Sequence, residues 1–114
     1  MPTISNTVIN LDSSAPTGYQ RDVKITLVYD SETQALPVAS TSPESSPIGT
    51  LRLRMDTQGA WSTDLIDNSI IEPAGSAYKV VEGSGTDSRT YFIEVADEDA
   101  EVKDILVAEP DFTP

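Results

Sequence analysis

The side chains with chemistry in them are almost all carboxylates. Residues 97–104 carry five acids: Asp97, Glu98, Asp99, Glu101 and Asp104. Several carboxylate oxygens are what Ca²⁺ takes from a protein. Loops built for that ion alternate their acids around a central glycine and close on a late Glu. This segment lacks that pattern, which favours a solvated acidic turn over a metal site. Asp64 and Asp67 form a second acidic pair, of the kind that divides acid and base roles in hydrolysis. No imidazole or thiol stands behind either group, because the chain has no His and no Cys. That removes Ser-His-Asp and Cys-His machinery, the common zinc sites and disulfides. The glycine-rich run at residues 83–87 is no phosphate cradle: the G-x-x-x-x-G-K-[ST] spacing is missing and no helical pattern follows. An enzyme therefore ranks last among the function classes, and neither a cofactor nor a metal is expected.

The basic and aromatic residues offer binding instead. Arg52 and Arg54 are two of only seven basic residues, and their spacing puts them on one face of a strand. They fit an acidic partner or, as the favoured reading, cross-strand carboxylates of their own sheet. Trp61, the only Trp, is either a ligand platform or a core plug, and its large area favours the core. The formal net charge is −12, from 19 acidic and 7 basic residues. Such a charge repels nucleic acid and anionic membranes and favours solubility or a basic partner surface. No apolar run reaches membrane-spanning length, and the opening residues MPTISNTVIN show no signal-peptide pattern. At 114 residues the chain is long enough for one domain with a modest core.

The elements that must position these groups are short strands. Residues 22–29 alternate Val23, Ile25 and Leu27 against Lys24 and Thr26. Residues 48–55 alternate Leu51 and Leu53 against the two arginines. Asp56-Thr57-Gln58-Gly59 is a turn, with a hairpin partner expected at residues 60–66 that carries Trp61 and Leu65 on one face. Residues 67–69 form a corner, and Pro73-Ala74-Gly75 a second reversal. Tyr78 and Val80 share a face in the next strand, and Tyr91, Ile93 and Val95 in the one after; these five, with Val23, Ile25, Leu27, Leu51, Leu53, Trp61 and Leu65, are the candidate core. Residues 105–107 are a last short apolar strand. Residues 30–47, with three prolines and five serines, are expected as a long connector rather than a binding loop. No stretch has sustained helical periodicity. The whole predicts an all-β, two-layer antiparallel sandwich of immunoglobulin-like or transthyretin-like type. Residues 1–21 are expected as an N-terminal arm or edge strand with connector, 22–108 as the sandwich and 109–114 as an extended tail. Ile4, Val8, Ile9 and Leu11 of the arm, with Phe112 of the tail, are the candidate docking residues.

In combination, several of these pieces resemble small β-sandwich domains of tailed-bacteriophage virion proteins, especially tail fibres and minor tail proteins. The resemblance rests on Asp56, Gly59, Trp61 and Leu65, then Pro73, Gly75, Tyr78 and Val80. It continues through Arg89-Thr90-Tyr91-Phe92-Ile93-Glu94-Val95 and Asp104-Ile105-Leu106-Val107, followed by Pro110. It covers residues 48–110. It implies a non-enzymatic structural protein of the virion, made in the host cytoplasm, that docks on other virion proteins and on copies of itself. The arm, the 30–47 connector and the absence of a shaft or receptor-binding region after residue 114 depart from the pattern. They raise a capsid decoration or head-fibre protein as the alternative. A carbohydrate or host-surface module using Trp61 and the tyrosines is a further one, separated from scaffolding by whether those rings are exposed.

Ca²⁺ is expected to leave the melting temperature unchanged, since an ion that binds only the folded state must raise it. A rise at millimolar Ca²⁺ that disappears in Asp99→Asn, followed by scanning calorimetry, would establish a metal site in the acidic segment.

Overall fold

The corner of the fold is the turn at residues 56–59, in a computed structural model that describes residues 1–30, 36–41, 43–83 and 88–110. Asp56 Oδ1 accepts the backbone N–H groups of Gln58 (2.8 Å) and Ala60 (3.0 Å). These bonds, Ala60's foremost, hold its carboxyl below the usual carboxylate range. Gly59 closes the turn with φ +83°, and a Cβ there would stand 2.1 Å from the Val8 carbonyl oxygen. The Val8 N–H in turn donates to the Gly59 carbonyl (2.8 Å). That close approach lays the outgoing strand on the N-terminal strand instead of folding it back on its predecessor. The hairpin expected from the sequence is thereby corrected: the two strands flanking the turn lie in different sheets.

Ten strands occur among the described residues: β1 (Thr3–Thr7), β2 (Asp22–Val28), β3 (Val38–Ala39), β4 (Thr50–Arg54), β5 (Ala60–Asp64), β6 (Ile71–Glu72), β7 (Ala77–Glu82), β8 (Arg89–Ile93), β9 (Ala100–Glu101) and β10 (Leu106–Val107). Short 3-10 turns at Gly18–Arg21, Asn68–Ile70 and Val102–Asp104 connect some of them. The protein is all-β, and no helix among the described residues is long and apolar enough to cross a membrane. The largest sheet is antiparallel with order β10-β8-β7-β2-β4. A second has order β5-β1-β9, with β1 antiparallel to β5 and parallel to β9. The pair β3–β6 supplies a third.

Side chains from all three sheets meet in one apolar cluster that includes Ile4, Val23, Ile25, Trp61, Ile71, Val80 and Ile93. In the largest sheet the register explains the choice of face. Leu51, Ile25 and Val80 stand side by side across β4, β2 and β7, with Tyr91 next on β8, while Lys24 and Arg52 fall on the opposite face. Leu65, Tyr78 and Val95 are buried, and Leu27, Leu53 and Tyr91 are half-buried against the cluster.

Three sequence expectations need correction. Leu51 points toward the core but is 41% exposed, because β4 is an edge and, among the described residues, no strand covers its far side. Ile4 is not available for docking: it is fully buried. Its strand is no free arm or edge, since β1 is bonded by β5 on one side and β9 on the other. The β-branched residues that marked residues 2–11 as extended pack inward at Ile4.

Gly59 and Gly75 both have positive φ, but only Gly59 is crowded; a Cβ at Gly75 meets open space. Gly59→Ala should therefore cost well over ~1 kcal/mol and clearly more than Gly75→Ala, which carries backbone strain alone. Equal losses in urea unfolding would remove the close approach to Val8 as the cause.

Candidate functional site

The most chemically loaded point of the molecule is Glu82, on the inward face of β7 and 2% exposed. Its Oε2 accepts the Trp61 indole Nε1–H (2.7 Å) and the Asn6 amide Nδ2–H (2.7 Å). Its Oε1 accepts Arg89 Nε–H (2.6 Å), whose guanidinium is largely in water. Trp61 and Asn6 lie on neighbouring strands of the three-stranded sheet and are paired in register. Glu82 and Arg89 are paired in register on the five-stranded sheet. One carboxylate thus joins the two sheets. Burial, with the Glu82 charge next, pushes the Tyr91 phenol well up, and its hydroxyl lacks a hydrogen bond among the described residues. With each of its oxygens already accepting from a donor, Glu82 is occupied as a structural acceptor.

Several other acids are also engaged. Asp64 accepts the Thr3 hydroxyl (2.6 Å), and buried Asp67 accepts the Ser69 hydroxyl, so the two carboxylates are held by different partners. Asn68 stitches the corner to the strand end beyond β8: its Oδ1 accepts Val95 N–H (2.7 Å), and its amide donates to Ser76 Oγ (2.9 Å). Tyr78 donates to the Ile66 carbonyl (2.6 Å), and burial followed by the Asp67 charge pushes its phenol up to about 12. In the acidic segment Asp99 accepts Thr3 N–H (2.8 Å), and Glu101 lies 3.4 Å from Lys103. Among the described residues no group of three or more acids stands close enough to hold a metal ion.

The candidate docking residues divide. Ile4 is in the core, Val8 is half-buried, and Phe112 lies outside the described residues. Ile9 and Leu11 are exposed on the rim of an open cavity of about 660 Å³ whose wall includes Glu82 and Arg89. Arg54 does meet the expected cross-strand acid, 3.7 Å from Asp22, but Arg52 stands opposite Lys24, a like charge. No protein-family model and no curated protein matches the chain. What the site can do must therefore come from its geometry.

Glu82 itself escaped the sequence reading, although a signal was present. It falls two residues after Val80 and four after Tyr78, on the face where every other position is apolar. A charge at such a position has to be paired or bonded. Its donors could not be found the same way, since Asn6 and Trp61 lie far away in the chain.

Glu82→Gln keeps the shape but removes the charge and sets an amide against donors. It should destabilise by about 1.5–3 kcal/mol, the usual worth of a hydrogen bond to a charged group. The Trp61 fluorescence spectrum should shift with it. A variant with unchanged stability and unchanged Trp61 emission would show that the carboxylate does not join the sheets.

Proposed function

We propose that the chain is a non-enzymatic structural protein of a bacteriophage virion, a tail-fibre or minor-tail type domain that works by assembly and docking. In this reading the sheets form an antiparallel sandwich of immunoglobulin-like or transthyretin-like type. The observation that carries the docking role is that the apolar rows of the five-stranded sheet run out into solvent at both edges. The row Ile25–Val80–Tyr91 continues into Leu51 on β4, preceded by a fully exposed Ile48. The row Leu27–Tyr78–Ile93 continues into Leu106 on β10, 54% exposed and next to Val107. Edge strands with apolar side chains are templates for another chain's strand, and added strands gain main-chain bonds and side-chain pockets together.

The virion setting is supported by the resemblance over residues 48–110. Its shared positions fall on structural points, namely the Asp56–Gly59 corner and the buried Trp61, Leu65, Tyr78 and Val80. The sugar-binding alternative loses its rings: Trp61 and Tyr78 are buried with their polar atoms engaged, and among the described residues Tyr19 is the exposed aromatic.

Mass spectrometry of purified particles from the encoding phage should find the chain at a fixed ratio to the other virion proteins. Leu51→Lys and Leu106→Lys, both at exposed positions, should keep the melting temperature and lose occupancy in particles. Absence of the unchanged chain from particles would end the virion reading. Full occupancy of both variants would end the edge mechanism.

A further inference from the structure

The outward face of the five-stranded sheet reverses the charge of the rest of the molecule. Lys24, Arg52, Arg54 and Lys79 all project there, four of the seven basic residues of a chain whose net charge is −12. Within the strands the only carboxylate on that face is Asp22, which is spent on Arg54; Glu94 follows at the end of β8. Lys24 and Arg52 are direct cross-strand neighbours, and the register puts Val81 beside Lys24 on β7 and Phe92 beside Lys79 on β8. Among the described residues Lys24, Arg52 and Lys79 form neither an ion pair nor a side-chain hydrogen bond. Like charges directly opposite one another cost stability, so this face is not arranged for the isolated fold.

We propose that this face docks a second copy of the chain, taking the acidic segment at residues 97–104 of its neighbour. The two surfaces are complementary in charge. Asp97, Glu98, Asp99 and Asp104 are exposed, and they flank β9, one of the two edge strands of the three-stranded sheet. The two surfaces belong to different sheets of one molecule, whereas a neighbour can present one to the other. Val81 and Phe92, both half-buried, give the cationic face an apolar part that such a contact would cover. A contact of the basic face with itself would set cation against cation, so each basic face takes the acidic segment of a neighbour, reciprocally in a two-fold dimer or head-to-tail in a ring or filament. The inference rests on the assembly reading above and names a partner and surface for it.

Sedimentation velocity on the purified full chain tests it without any particle. The unchanged chain should associate at low salt and less so at high salt, because exposed charges are screened. The face variant Lys24→Glu/Arg52→Glu/Lys79→Glu and the segment variant Asp97→Lys/Glu98→Lys/Asp104→Lys should each be monomeric. Mixed in equal amounts they should associate again, since each then offers the charge the other needs. Circular dichroism melts should first establish that both are folded; if either is not, the corresponding Gln replacements, which should also lose association, take its place. A chain that stays monomeric at low salt, association that strengthens with salt, variants that associate like the unchanged chain, or a mixture that stays monomeric would each overturn the contact. Heparin binding by the face in a chain that does not self-associate would overturn it in favour of a polyanion. None of these outcomes bears on whether the chain is present in particles, so the virion reading stands or falls separately.

Discussion

A buried carboxylate has to be satisfied on the spot, and Glu82 sets the terms for much of this fold. Removing its charge from water costs several kcal/mol unless donors replace the solvent. Those donors are Trp61 and Asn6 from one sheet and Arg89 from its own. The requirement restricts how the two sheets can lie on each other. A one-residue slip of β7 would send Glu82 to the outer face and strip the indole and the amide of their acceptor. Apolar packing tolerates many arrangements of similar volume, whereas a carboxylate with directional donors tolerates few. Arg89 extends from this centre to solvent and lies 6.0 Å from the Tyr91 ring, so it links the interior charge to the surface.

Around that fixed centre, the surface is divided by charge and by polarity. Acids dominate overall, cations gather on one sheet face, and aliphatic side chains stand at the edges of the same sheet. A strongly acidic chain stays dispersed through mutual repulsion. A molecule with separated patches of both signs attracts its own kind only in certain orientations. Edges and face therefore ask different things of a neighbour: the edges want a strand, and the face wants carboxylates.

Much of the fold was legible because strand chemistry is local. The alternation of Val23, Ile25 and Leu27, the Asp56-to-Gly59 turn and the run from Tyr91 to Val95 each announce themselves within a few residues. Two things were not legible. The first is which strands pair, since β1 binds β5 and β9 from far along the chain and nothing in residues 3–7 names those partners. The second is the centre at Glu82, where the acid could be suspected from its position but its donors could not. Arg52 shows the same limit. Its face was readable, but that Lys24 and not an acid stands opposite depends on the register between β2 and β4.

The position of β1 has a consequence for how the chain is made. It is synthesised well before either of its neighbours, yet it becomes the middle strand of its sheet. A nascent chain must carry Ile4 uncovered until Ala60–Asp64 and then Ala100–Glu101 have left the ribosome. Pairings across such separations close late and slowly. The three-stranded sheet is therefore completed only once β9 has been made, and β1 is the strand most in need of protection from wrong partners in the meantime.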